Sequence, residues 1–350
     1  ERLDQVIFAG FTHEPAERLA QRLVEITPDG LDYVFYSDSG STCVEVAIKM
    51  ALGFFRNRGE KRMRVVALEH GYHGDTIGAM SAGARSVFNA SYEPLLFEVV
   101  RIPFPSVGRE QEALDALEQA GRAGAAAFVV EPLILGAGGM LVYSPATLRE
   151  MRAICARYGV LFIADEVMTG FGRTGTLFAC EQAGVIPDIA CYAKGLTGGA
   201  LPLAVTMCRK EIFEAHLSQD RARTFFHSSS YTANPIACSA ALANLDIWAT
   251  GEPLLAIARL SAMQQERLAR FEGCARFKNL RRLGTIAALD LDTSQKGYAA
   301  PIGLDLMRRF NARGLALRPL GETIYVLPPY CVTGEELDLA YEAIEELSSE

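Results

Sequence analysis

The chain has 350 residues, of which half are apolar and 22% charged, with a formal net charge of −8. That length fits one larger and one smaller domain, and the acidic balance argues against a nucleic-acid or membrane-surface partner. No apolar run approaches the length of a bilayer span. The eight cysteines stand singly without C-x-x-C spacing, which reads as reduced, mostly buried thiols of a cytoplasmic protein rather than a zinc site or disulfide framework.

Residues 1–13 read as an N-terminal remnant. From residue 14 to 249, apolar strand-like runs alternate with amphipathic helical ones, the pattern of an α/β domain with a mostly parallel sheet flanked by helices. The first motif is Ser39-Gly40-Ser41 in "YSDSGSTCVEVAIKMALGFF", just ahead of a helix. Free N–H groups at a helix start, with two hydroxyls, suit a phosphate; the simpler alternative is an N-cap, with Ser41 satisfying the first turn. Glu45 and Lys49, four residues apart, read as a helix-surface ion pair.

A strand over Val65–Leu68 feeds "ALEHGYHGDTIGAM", where Gly71 and Gly74 allow a sharp turn that presents Tyr72 to a cleft. His70 and His73 lack a third metal ligand and read as structural. A helix over Glu110–Ala120 precedes a strand over Ala126–Val130 that ends at Glu131, where turn stabilisation and pocket lining stay equally open. After a helix over Pro145–Tyr158, "VLFIADEVMTGFGRTG" carries Asp165 to the carboxyl end of a strand over Val160–Asp165, apolar enough to be buried on both faces. A buried carboxylate needs a partner, which means a cation, a metal or a helix cap.

The next strand, Ile189–Ala193, ends at Lys194-Gly195, and another covers Leu203–Met207. Helices over Asn234–Trp248 and Pro253–Phe271 flank a boundary near Thr250–Pro253. The remainder, 250–350, reads as a smaller α+β domain. It has a strand near Gly284–Leu291, a helix near Pro301–Arg313, strands near Leu315–Arg318 and Thr323–Leu327, and a final helix.

An aspartate and a lysine at neighbouring strand ends, a phosphate cradle and a ring-presenting tyrosine form a set. The ligand that uses all four has a phosphate, a flat ring, a ring cation that needs a carboxylate, and a carbonyl that condenses with an amine. Pyridoxal 5'-phosphate (PLP), held by a lysine Schiff base, has these features.

The segments "DSGSTCVEVAIKMAL", "GYHGDTIGAMS", "EPLILGAGGM", "LFIADEVMTGFGRTGTLFACE", "AKGLTGG", "YTANPIACSAALA" and "LRPLGETIYVLPPY" occur in that order. Over essentially the whole chain the sequence resembles the class III aminotransferases of PLP fold type I. Asp38-Ser39-Gly40-Ser41 followed by Val-Glu-Val stands closer to the biotin-synthesis branch than the Asn-Ser-Gly-Thr usual in the class. The resemblance implies that Gly40 and Ser41 bind the cofactor phosphate and that Tyr72 covers the ring beside the substrate. It pairs Asp165 with the pyridinium nitrogen and bonds Lys194 to the cofactor. Ser228, Ser229 and Ser230 occupy the stretch that reaches the neighbouring subunit's phosphate in a homodimer with shared active sites, and Ser230 keeps a hydroxyl where threonine is usual. Arg318 matches the arginine that takes substrate carboxylates, and Tyr325 a pocket tyrosine. In the family a further N-terminal segment supplies aromatic pocket residues that this sequence does not show.

The implied reaction is ping-pong transamination of 8-amino-7-oxononanoate to 7,8-diaminononanoate, with S-adenosylmethionine the expected donor and lysine the alternative. Three rival readings stand beside it: a class III transaminase of ornithine, 4-aminobutyrate or other ω-amines, which keeps every cofactor residue, a dialkylglycine-type decarboxylase, and a PLP-binding regulatory domain. The last needs a basic DNA-binding module, and none is visible.

Overall fold

Twelve strands run through the computed structural model, which describes residues 5–349; residues 1–4 of the expected remnant and Glu350 lie outside it. In chain order they are β1 Tyr33–Ser37, β2 Val65–Leu68, β3 Val99–Ile102, β4 Ala127–Val130, β5 Ile134–Leu135, β6 Leu141–Val142, β7 Leu161–Asp165, β8 Ile189–Tyr192, β9 Ala204–Cys208, β10 Phe277–Leu283, β11 Ile286–Leu291 and β12 Thr323–Val326. Seven of them form one sheet in the order β1-β9-β8-β7-β4-β2-β3, antiparallel only where β9 meets its two neighbours. The expected mostly parallel α/β sheet is therefore present.

The alternation of side chains along a strand divides this sheet into two apolar faces. Val65, Ala67, Ala127, Val129, Ile163 and Ile189 face one core together with Val44, Ala47, Ile48 and Phe54 of α2 (Gly40–Asn57), the helix that follows α1 (Glu14–Ile26). Val66, Leu68, Phe128, Val130, Phe162 and Ala164 face the opposite core beneath the helices Glu110–Arg122 and Pro145–Tyr158. Complete burial of a side chain such as Phe128 or Phe162 contributes about 2–3 kcal/mol. Two of the seven strands, β1 and β3, leave no clear mark in the sequence. They are the edges of the sheet and only partly buried, so their apolar pattern is diluted.

After residue 250, the helix Glu252–Ala269 leads into an antiparallel sheet ordered β10-β11-β12, with its own core around Leu260, Leu289, Leu306, Phe310, Ile324 and Tyr341. The expected strand over Leu315–Arg318 is absent; only an isolated bridge, Leu320 to Thr323, follows it. The amide of Leu315 is tied back to the carbonyl of Phe310, and left-handed glycines at 314 and 321 bracket the segment (φ 73° and 62°), so it runs as an irregular turn. All eight cysteines are free thiols, six of them buried, with Cys274 half-buried and Cys331 exposed. Among the described residues no helix is long and apolar enough to cross a membrane, and no His, Cys, Asp or Glu cluster could hold a metal.

Candidate active site

The carboxyl ends of the parallel strands converge on one cavity of about 550 Å³, the location where ligands of open α/β sheets bind. Asp38 to Ser41 follow β1, Tyr72 to Gly74 follow β2, Glu131 follows β4, Asp165 ends β7, and Ala193-Lys194 follow β8. The expected residues Gly40, Ser41, Tyr72, Asp165 and Lys194 thus share one wall system.

At the start of α2 the N-cap is Ser39, whose hydroxyl accepts from the Thr42 amide at 3.2 Å, and not Ser41. Ser41 instead accepts from the Asp75 amide at 3.2 Å, which fastens the Tyr72 loop to the helix start. Two glycines make this junction possible. A Cβ on Gly40 would come within 2.7 Å of Val167, and one on Gly74 (φ +125°) would strike the Ser41 side chain. The amides of the first helical turn have no intrahelical acceptors and carry the positive end of the helix dipole. The expected Glu45–Lys49 pair is not formed. Glu45 accepts from the amides of Gly78 and Ala79, at 2.7 and 3.3 Å, while Lys49 donates to the carbonyl of Phe226. Both side chains find partners across the fold that outcompete a solvent-exposed helix pair.

Asp165 is 4% exposed and held from two sides: Oδ2 lies 2.8 Å from Nδ1 of His73, and Oδ1 accepts from the Val167 amide at 3.1 Å. His73, expected to be merely structural, therefore belongs to the site. Its flanking glycines mark a turn, but nothing local shows that a carboxylate 92 residues away will meet it. Burial alone would lower the His73 pKa; the hydrogen bond and charge of Asp165, with the charge of Glu131, outweigh it and hold the ring above its ordinary 6.5. Glu131 serves both roles left open for it. It lines the cavity, and its carboxylate accepts from the Tyr72 amide at 2.9 Å and the Gly136 amide at 3.0 Å. Burial, reinforced by the charge of Asp165, pushes it up to about 7. The Tyr72 phenol donates to Asp75 at 2.8 Å, and desolvation plus that bond raise its pKa.

Lys194 lines the same cavity with φ 46°, a left-handed conformation that costs a non-glycine residue about 1–3 kcal/mol and persists only where its surroundings enforce it. Its carbonyl accepts from Gly199 at 3.0 Å, and Asn244 holds the following turn through the carbonyls of Gly195 and Leu196. The glycine after the lysine is a steric requirement, since a Cβ there would sit 2.6 Å from Cβ of Phe171. Among the described residues the Lys194 ammonium has no hydrogen-bond or ion-pair partner.

The other expected residues stand outside the cavity lining. Ser229 donates to Asp38, which does line it, while Ser228 and Ser230 flank that contact. Arg318 is exposed and donates to the Tyr298 hydroxyl at 2.7 Å. Tyr325 packs in a small cluster with Met168, whose side chain reaches the cavity.

Residues 1–347 match the family Aminotransferase class-III. The chain belongs to the class III aminotransferases. An adenosylmethionine-8-amino-7-oxononanoate aminotransferase of Synechococcus elongatus is 47% identical over 99% of this chain and 84% of its own length, and one of Geobacter sulfurreducens is 38% identical over 99% and 81%. The crystal structure of the enzyme so named from Methanocaldococcus jannaschii superposes with a TM-score of 0.93 at 33% identity, covering 99% of this chain and 82% of that one. An amine transaminase from an uncultivated Pseudomonas species in its PLP-bound form gives 0.91 at 31% identity, over 99% and 84%.

The cofactor of this class III aminotransferase is PLP, and the residues present fit it. A helix N-terminus freed of side chains by Gly40 and Gly74, a buried carboxylate backed by histidine and an unpartnered amine face a single cavity.

Proposed function

We propose that this class III aminotransferase transfers an amino group from S-adenosylmethionine to 8-amino-7-oxononanoate, giving 7,8-diaminononanoate for biotin synthesis. The observation that carries the reading is Lys194, which occupies a strained left-handed backbone with its amine unpartnered among the described residues, on the cavity that Asp165 and His73 floor. Relatives that carry this enzyme's name and match over 99% of this chain support the choice of substrate.

When bound, PLP supplies a ring that takes up the electrons released at the donor's amine-bearing carbon. The protein's own groups do the rest. Gly40 and Ser41 hold the phosphate at the start of α2, and Ser229 and Ser230 serve the phosphate of the adjoining subunit. Asp165 keeps a negative charge against the ring nitrogen, and His73 holds that carboxylate in place. Lys194 anchors the cofactor and then, as a free amine, takes a proton from the donor carbon and returns one to the acceptor's former carbonyl carbon. Tyr72 covers the ring, while Ser228, Arg318 and Tyr325 bind substrate. In this reading residues 14–249 form the cofactor domain and 250–350 the smaller one, and the enzyme is a cytoplasmic homodimer whose sites are shared.

Purified protein with PLP, 8-amino-7-oxononanoate and either S-adenosylmethionine or lysine is the test, read by mass spectrometry. Formation of the nine-carbon diamine with S-adenosylmethionine is the expected result. Its absence with both donors, together with turnover of ornithine or 4-aminobutyrate, overturns the substrate assignment and leaves the family intact.

A further inference from the structure

Arg318 is exposed, and a long side chain in water samples many rotamers, so a two-pronged grip on a carboxylate needs something to aim it. One bond does so here: Nη2 of Arg318 donates to the hydroxyl of Tyr298 at 2.7 Å. That bond uses one of two hydrogens on Nη2 and leaves the second, with those on Nη1, free for a ligand.

Tyr298 is itself fixed on two sides. Its loop lies against the turn that follows Arg318, because Gly321 has no side chain to keep the Gly297 carbonyl away. Glu322 then accepts from the Gly297 amide at 2.7 Å. On the other side, the Tyr298 ring meets Phe88 with centroids 4.2 Å apart. Phe88 sits in a turn tied by Asn89, which accepts from the Ser86 amide and donates to the Ala84 carbonyl. The Ala84 amide in turn donates to the carbonyl of Gly71, next to Tyr72, at 2.7 Å. A chain of direct contacts thus runs from the Tyr72 loop of the cavity, through Phe88 and Tyr298, to Arg318.

We propose that Tyr298 is a positioning residue for substrate recognition: its hydroxyl aims the Arg318 guanidinium, and its contact with Phe88 sets that aim relative to the cavity. The inference rests on Arg318 binding the substrate carboxylate. Pre-aiming removes the ordering cost that a free arginine pays each time a carboxylate arrives. It acts on carboxylate-bearing ligands only, and not on the proton transfers at Lys194.

Tyr298→Phe keeps the ring against Phe88 and removes only the acceptor. With the PLP-loaded enzyme, KM for 8-amino-7-oxononanoate rises roughly three- to tenfold, the scale of one exposed hydrogen bond to a charged group, and kcat falls by a smaller factor. Nonanoate, a nine-carbon carboxylate with neither amine nor ketone, is the unreactive probe; its inhibition constant rises by the same factor, and that of nonanamide does not. An unchanged KM and nonanoate constant in Tyr298→Phe, alongside a rise of both in Arg318→Lys, overturns the role of Tyr298 and leaves Arg318 standing. If Arg318→Lys also changes neither, the Arg318 assignment itself is wrong. Equal losses for nonanoate and nonanamide show a merely structural role for Tyr298 and overturn the proposal.

Discussion

At the floor of the cavity, Asp165, His73 and Glu131 are buried and bond to one another or to backbone amides; Arg318 is exposed and, among the described residues, hangs on one hydrogen bond to Tyr298. In the proposed reading the two regions serve one active site by opposite physics. On the floor, charges interact in a medium of low polarisability, where an unpaired charge is costly and geometry is enforced. At Arg318, water screens the charge and side-chain entropy opposes order, so a single interaction is worth little. In the proposed reading the carboxylate that faces the cofactor ring sits where electrostatics is strong, the exposed Lys194 reaches the cavity above it, and recognition sits where electrostatics is weak and adjustable. Substitutions on the floor should cost orders of magnitude in turnover, and those at Arg318 a modest factor in affinity.

The largest effect is expected at Lys194. Lys194→Ala leaves the phosphate cradle and Asp165 in place, so PLP still binds, but without covalent attachment, as borohydride reduction and intact-mass analysis will show. Loss of the positioned base costs roughly 10²–10⁴-fold in rate. A reduced adduct of unchanged mass in this variant rules Lys194 out as the anchor.

Asp165→Asn follows. The shape survives, but the buried His73 ring loses the carboxylate it is paired with, which costs about 3 kcal/mol of stability. Turnover falls by roughly a hundredfold or more, because the charge facing the ring nitrogen is gone. Wild-type turnover in this variant makes Asp165 a local cap for the Val167 amide and nothing more.

The same contrast governs what can be read from the chain. Gly40, Ser41, Tyr72, Asp165 and Lys194 announce themselves because each is a local event, a polar residue at the end of an apolar run or beside a glycine that the turn needs. His73 does not, because its meaning lies in Asp165, 92 residues away. Glu45 misleads for the same reason: helix spacing points to Lys49, yet the amides of Gly78 and Ala79 lie closer to its carboxylate. Around Arg318 locality fails altogether. An apolar run read as a strand is a glycine-bracketed turn, and the arginine's partner comes from a loop 20 residues earlier. Strand edges, turns and cross-unit contacts depend on tertiary placement, for which a short segment carries little signal.

Glu131 sharpens the comparison through pH. Its carboxyl is raised by burial from 4.5 to about 7, so between those values the folded protein keeps a proton that the unfolded chain has lost. The stability linked to that proton is fully present below pH 4.5 and is lost as pH rises through 7. In protein prepared without cofactor, Glu131→Gln removes this dependence. Its stability relative to wild type should therefore rise by about 2–3 kcal/mol from pH 5 to pH 8 in urea titrations. Parallel pH dependences would show that the Glu131 carboxylate stays ionised on folding, held by the Tyr72 and Gly136 amides.

The smallest effect is expected at Arg318, and it is the one that separates the two regions. Lysine keeps the positive charge but replaces a planar fork by a single ammonium, so two parallel hydrogen bonds to a carboxylate become one. Because the site is exposed, the loss should be modest, roughly tenfold in kcat/KM. In a ping-pong scheme donor and acceptor occupy the same site in turn, and S-adenosylmethionine and 8-amino-7-oxononanoate each carry a carboxylate. Arg318→Lys should therefore weaken both substrates by similar factors and leave the covalent attachment of PLP to Lys194 untouched, since among the described residues Arg318 bonds to Tyr298 and not to a residue of the floor. A loss confined to one substrate would mean that the two bind in different poses and that Arg318 reads only one of them. Wild-type constants for both would return Arg318 to its visible role, a partner for the Tyr298 hydroxyl.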